Sequence, residues 1–90
     1  MNEVNVVTII EQDSRFNVRV KNKLFKDSER AVEYLKEEYL KIEKTESSSS
    51  YFMKNGKTIP NIYDNPDFFY IEDYGVNQWF EGTIEKLKIE

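Results

Sequence analysis

The segment from Pro66 to Phe80, PDFFYIEDYGVNQWF, sets carboxylates among aromatic rings and contains no basic side chain. Asp67, Glu72 and Asp73, together with Asp64 just before them, carry the oxygen ligands that Mg²⁺ and Ca²⁺ prefer. Their spacing does not match the Asp-rich calcium loop of known motifs, and Asp64-Asn65-Pro66-Asp67 is equally typical of a turn. We therefore expect no metal site.

Catalysis would require a nucleophile or an acid–base pair. The serines at 47–50 have no base at a fixed spacing. Asp67 and Glu72 could divide acid and base roles only in a pocket that separates their pKa values, and 90 residues leave little room for one. The chain contains no cysteine and no histidine, which excludes thiolate and imidazole chemistry. We predict a protein that is not an enzyme and needs no cofactor.

The acidic aromatic segment is more typical of a surface that binds another protein. Tyrosine and tryptophan provide large rigid contact areas, and carboxylates provide charge complementarity. The predicted protein-binding residues are Tyr70, Glu72, Asp73, Tyr74 and Trp79, with Phe68 if its side chain faces outward. With Glu81 and Glu85, the same carboxylates could also imitate the phosphates of a nucleic acid.

A basic segment provides the alternative hypothesis of a nucleic-acid-binding protein. No acid occurs between Ser14 and Lys26, and the candidate contact residues are Arg15, Arg19, Lys21, Lys23 and Lys26. Arg19 and Lys21 are expected on the solvated face of one strand. No aromatic side chain accompanies them there to stack on a base, and lysines on an edge strand also prevent unwanted pairing.

The first half of the chain predicts two strands and a helix. Residues 4–10 form a strand that is apolar on both faces, and the next strand is expected to bury Phe16, Val18 and Val20. Asp27 or Ser28 begins a helix that extends to about Lys44. Its apolar stripe consists of Ala31, Val32, Leu35, Tyr39 and Ile42.

The second half predicts a loop, a hairpin and two strands. Residues 45–50 are polar, and Asn55-Gly56 favours a type I′ turn in a small hairpin over 51–59. Pro60 and Pro66 exclude a regular strand between them. Strands follow over 67–73 and 78–90, joined by a turn, and the last one changes phase near Gly82 or between Ile84 and Leu87, as a bulge would produce.

These elements define an α+β domain over residues 1–90, with an antiparallel sheet of about four to five strands and one helix on one face. The order is β-β-α-β-β with the Asn-Gly hairpin appended. One helix covers one sheet face. Val7, Ile9 and one aromatic set of residues 68–71 are therefore left without cover, unless residues 51–66 fold across them.

Composition sets the remaining expectations. The net charge is −4, and the amino-terminal MNEVNVVTIIEQ has no signal-peptide pattern, so we expect a small acidic cytoplasmic protein that contacts no membrane. Abundant Lys, Glu, Ile, Asn and Tyr indicate an AT-rich genome. The resulting hypothesis is a phage or mobile-element accessory or inhibitor protein that binds another protein, with a structural homo-oligomer, such as a homodimer, as a further alternative.

Overall fold

A computed structural model describes residues 2–89 of the chain. The elements are β1 (Asn2–Gln12), β2 (Val18–Phe25), α1 (Ser28–Lys41), β3 (Ser48–Lys54), β4 (Lys57–Ile59), a 3₁₀ turn (Ile62–Asp64), β5 (Phe68–Asp73) and β6 (Gln78–Ile89). The strands form one six-stranded sheet in the order β2-β1-β6-β5-β3-β4, and every described pairing is antiparallel. Helix α1 packs on one face of this sheet.

The α+β class and the element order agree with the sequence, but the sheet has more strands than the four to five predicted. The difference arises at the serines. Ser48 to Ser50, expected in a loop, begin β3, which pairs with β5 from Ser48 opposite Asp73 to Met53 opposite Phe68. The Asn55-Gly56 turn, with both φ angles positive as predicted, therefore joins two strands of the main sheet.

Helix α1 begins as predicted and ends earlier. The Asp27 carboxylate caps it by accepting from the Glu29 amide at 2.9 Å. The helix stops at Lys41 because Ile42 adopts extended backbone, and the Lys44 ammonium then donates to the carbonyl oxygens of Tyr39 and Ile42. With 14 residues, α1 is not long and apolar enough to cross a membrane.

The core lies between α1 and the middle strands. Phe69 and Ile71 of β5 are the buried pair of that strand, and they meet Leu35 and Tyr39 of the helix. The Tyr39 ring packs edge-on against Phe69 at a centroid distance of 5.3 Å. Gly82 of β6 lies directly beneath the Phe69 ring, where a β-carbon would collide with it. The remaining core residues are Val7, Ile9, Ala31, Phe52 and Ile62.

The prediction of which faces of β1 and β2 are covered is wrong. Val7 and Ile9, expected to lack cover, are buried under α1. The hairpin register places Ile9 opposite Lys21 and Ile10 opposite Val20, so Lys21 follows Ile9 onto the helix side. Val18 and Val20 consequently lie on the other face and are 56% and 59% exposed. The apolar residues on both faces of β1 predict a strand that can be covered on either side. The pairing of the strands and the position of α1 decide which side is covered.

The predicted phase change in β6 is also wrong. Its pairing with β1 runs without interruption from Trp79 opposite Gln12 to Ile89 opposite Asn2. Leu87 and Ile89 share a face with Trp79, and no bulge is needed because both faces of this strand accept apolar residues. Position 90 lies outside the described residues.

Residues 60–66 do not cover the second sheet face. Ile62 of the 3₁₀ turn joins the core cluster on the helix side, and the turn contacts α1. Within residues 2–89, no element packs on the face opposite α1. That face therefore contributes no side chains to the core between α1 and the sheet.

Candidate functional site: the open sheet face

We call the sheet face opposite α1 the open face. It consists of the even-numbered residues of β1 from Val4 onward and of β2, β4 and β5, and the odd-numbered residues of β3 and β6, because successive side chains of a strand point to opposite faces. The two larger dimensions of the molecule are 46 and 28 Å.

Four aromatic rings form a continuous row on one half of the open face. Tyr51 contacts Phe68 and Tyr70 at centroid distances of 5.7 Å each, and Tyr70 stacks on Trp79 at 6.2 Å. These separations are those of interacting aromatic pairs. We call Phe68, Tyr51, Tyr70 and Trp79 the aromatic row. It includes three of the predicted contact residues and adds Tyr51.

Carboxylates stand directly beside these rings. The register places Glu72 opposite Trp79 and Glu81 opposite Tyr70, so rings and carboxylates alternate across β5 and β6. Burial raises the pKa of the Tyr70 hydroxyl, and the negative charge of Glu72 raises it further. A hydrogen bond to Glu72 raises the pKa of Tyr74, which is exposed in the neighbouring turn. Both effects favour the neutral form of these phenols.

The other half of the open face is aliphatic. Ile10 lies between Val20 and Glu81, and Val6 lies between Leu24 and Glu85, so the carboxylates of β6 separate aliphatic from aromatic side chains. Val18, Val20, Leu24 and Leu87 are all substantially exposed. The hydrogen-bonded Thr8 and Asn22 lie between the two aliphatic groups, and exposed apolar groups of this kind are typical of an interaction surface.

Charge differs sharply between the two faces of the sheet. The open-face strand positions within residues 2–89 include Glu72, Glu81 and Glu85 and no lysine or arginine. None of these carboxylates forms an ion pair in the described part of the chain. The strand lysines and arginines, such as Lys21 and Lys86, have the opposite phase and lie on the helix side.

Asp73 was predicted as a contact residue, and the structure does not place it on the open face. It is buried on the helix side, where its carboxylate accepts hydrogen bonds from the hydroxyls of Ser47 (2.5 Å) and Thr45 (2.9 Å) and from the Gly75 amide (3.0 Å). The serine-rich segment thus satisfies Asp73. These hydrogen bonds connect the segment just before β3 to the end of β5.

Asp73 should make the free energy of unfolding fall as the pH is lowered into the acid range. The hydrogen bonds, chiefly that from Ser47, lower its pKa in the folded state below the ordinary value of 3.8. Its stabilising contribution is therefore complete above the unfolded-state pKa and is lost as pH falls through the folded-state value. We expect the urea midpoint of Asp73→Asn to fall less between pH 6 and pH 3 than that of the wild type, measured by Trp79 fluorescence. Equal slopes would contradict this role.

Phe16 is a candidate contact residue that the sequence analysis placed in the core. It is 66% exposed and has a φ of 68°, a left-handed conformation that is unfavourable for a bulky residue. Asp13 enforces this turn: its carboxylate accepts from the amides of Arg15 and Asn17, and its carbonyl accepts from the Phe16 amide. Phe16 lines a small hollow with Trp79 at one end of the open face. The signal in the sequence was the turn-forming Asp13, three residues before the aromatic Phe16.

Arg19, Lys21 and Lys23 lie in an exposed row on the helix side of β2, and each has a partner there. Lys21 pairs with the buried Glu38, which also binds Lys41 at 3.2 Å. Burial opposes ionisation of Glu38, but hydrogen bonds from Lys21 and Lys41 outweigh it and lower its pKa. Lys23 lies over the Tyr34 ring at 4.9 Å, and Arg19 is 4.0 Å from Glu11. Arg15 and Lys26, also predicted as nucleic-acid contacts, lie outside β2, just before and just after it.

The residues considered for metal binding and catalysis do not converge. Asp67 accepts from the Asn55 amide, Asp73 is enclosed by hydroxyls and Glu72 lies on the opposite face of the sheet. A groove of about 670 Å³ runs between α1 and β2 over Ile9 and Phe80. Its most buried charged group, Glu38, is already neutralised by two lysines. The open face is therefore the candidate site.

These features define a class of molecule: a one-helix α+β protein with an uncovered acidic and apolar sheet face. A scan against protein-family models and searches of curated proteins and of solved structures each returned no match to this chain.

Proposed function

We propose that this protein acts by binding another protein through its open face, without catalysis of its own. The observation that carries the proposal is the aromatic row, because no element of residues 2–89 packs on its sheet face and the core is built on the other face. Aromatic side chains concentrate the binding energy of interfaces when a partner removes them from water. An accessory or inhibitory protein of a phage or mobile element would act in this way.

Strain at Phe16 gives independent support. A bulky residue in the left-handed region costs about 1–2 kcal/mol relative to ordinary backbone conformations. Such strain concentrates at functional sites, where a surface function outweighs the lost stability. Here the strained residue carries an exposed aromatic ring at the end of the open face. We therefore include Phe16 in the proposed contact surface, with Phe68, Tyr70, Glu72, Tyr74 and Trp79.

The test is affinity capture with the tagged protein from a lysate of its own host, with and without nuclease. We expect one discrete protein that Tyr70→Ala and Phe16→Gly fail to retain. Phe16→Gly is the decisive variant because glycine relieves the left-handed strain and should raise stability by about 0.5–1 kcal/mol, after allowing for its greater unfolded-state entropy. Lost capture by a more stable protein cannot result from unfolding.

The matched control neutralises the basic segment with Arg15→Gln, Arg19→Gln and Lys23→Gln. Lys21 is left intact because it neutralises the buried Glu38. Capture that survives these changes and nuclease treatment supports the open face. Capture that disappears with nuclease or in the control variant would instead favour nucleic-acid binding. A partner that both Phe16→Gly and Tyr70→Ala retain as well as the wild type does would refute the proposal.

A further inference from the structure

The distribution of charge on the open face restricts what can bind there. Glu81 occupies the centre of the face, between Ile10 of β1 and Tyr70 of β5, and Glu85 lies two residue pairs further along β6. A partner that covers the apolar side chains on both sides of β6 must also cover these carboxylates. A buried carboxylate without a counter-charge is strongly unfavourable, so the partner must bring cations.

A second copy of this chain cannot supply them through the same face. Two open faces packed together would bring Glu81 and Glu85 near their own counterparts. The open-face strand positions within residues 2–89 provide no lysine or arginine to neutralise them. The charge pattern therefore disfavours a face-to-face homodimer.

The alternation of rings and carboxylates fits arginine in particular. Glu72 lies beside Trp79, and Glu81 lies beside Tyr70, so a planar guanidinium could stack on a ring while a neighbouring carboxylate accepts its hydrogen bonds. Arginine combines both contacts, because its guanidinium is delocalised, weakly hydrated and presents paired donors. A lysine ammonium is a compact charge without a planar face or paired donors, so it fits this arrangement less well than arginine.

We propose that the open face recognises a basic polypeptide segment in which arginines accompany apolar side chains. Aliphatic residues of the segment would cover the patch around Ile10 and Val20, and arginines would bind between Glu81, Glu72 and the aromatic row. This inference rests on the proposed function and adds the chemistry of the partner. Complementary charge also speeds the encounter and excludes acidic competitors.

The test uses a peptide of repeated Leu-Arg units and a twin in which citrulline, the uncharged isostere, replaces arginine. Trp79 is the single tryptophan of the chain and reports binding by its fluorescence. We expect a saturable change with the arginine peptide and at least about tenfold weaker binding of the citrulline twin. Glu72→Gln, Glu81→Gln and Glu85→Gln together should weaken the arginine peptide by a similar factor.

The matched control is the triple variant Glu33→Gln, Glu37→Gln and Glu46→Gln, which removes the same charge from exposed positions away from the open face. It should bind the arginine peptide like the wild type. Raising sodium chloride from about 0.1 M to about 1 M shortens the screening length from about 10 Å to about 3 Å and should abolish binding.

Three outcomes would overturn the inference. Equal binding of the citrulline twin would show that the face selects apolar chains, and a dimer in light scattering that is broken by Tyr70→Ala would show that it binds a second copy. No saturable response to the arginine peptide at low salt would remove the cationic partner. The capture experiment with Phe16→Gly remains a separate test, so the proposed function can survive each result except the dimer.

Discussion

Replacing Phe69 with alanine should remove most of the protein's free energy of unfolding at room temperature. Phe69 is fully buried, pairs with Tyr39 edge-on and covers Gly82, so alanine would leave a cavity in the middle of the core. Phenylalanine-to-alanine changes in cores cost about 3–5 kcal/mol. A domain of 90 residues is expected to have a stability near the lower end of the usual range, roughly 5 kcal/mol.

The adjacent Phe68 provides a matched control for this prediction. Both residues are phenylalanines on β5, but Phe68 lies on the open face and is only partly buried. Phe68→Ala should cost less than about 1.5 kcal/mol in urea unfolding followed by Trp79 fluorescence, because no closed cavity forms. The reverse order of effects would show that the two faces of the sheet had been assigned the wrong way round.

The sequence predicted strands and turns well wherever a local signal decides them. Asn55-Gly56 produces positive φ angles at little cost, and Asp27 satisfies the first free amides of α1. Pro60 and Pro66 exclude a strand between them by removing backbone donors. These are properties of a few neighbouring residues, so they require no knowledge of the rest of the chain.

The choice of buried face could not be predicted in the same way. In β5, the Phe68/Tyr70 and Phe69/Ile71 sets are about equally apolar, and only the position of α1 decides that the second set is buried. In β2, Val18 and Val20 look like core residues although they lie on an open face that is itself apolar. The polar residues Arg19 and Lys21 of β2 lie on the helix side, so alternation alone did not identify which side of the strand faces the core.

The candidate site was predicted in part for the same reason. Tyr70, Glu72 and Trp79 lie together because β5 and β6 form the hairpin that the sequence indicated. The position of Asp73 could not be predicted, because its partners Ser47 and Thr45 are distant in sequence and reach it only through the β3–β5 pairing. Of the acids considered for the mimicry of nucleic-acid phosphates, Glu72, Glu81 and Glu85 lie on the open face, whereas Asp73 lies on the helix side.

The last prediction concerns Gly82, whose replacement by alanine should be destabilising in one background and harmless in another. A β-carbon at position 82 would overlap the Phe69 ring, and this ring is enclosed by the core. Overpacking of this kind costs about 1–3 kcal/mol, and the severe overlap places Gly82→Ala at the upper end. The shorter side chain of Phe69→Leu should leave room for the methyl group. In that background Gly82→Ala should be neutral or stabilising, because alanine loses less conformational entropy than glycine on folding.

A double-mutant cycle in urea measures this coupling directly. Additive effects of the two substitutions would mean that the Phe69 ring is not the reason for glycine at this position, and the register between β5 and β6, which places the aromatic row beside Glu72 and Glu81, would then lose its packing explanation.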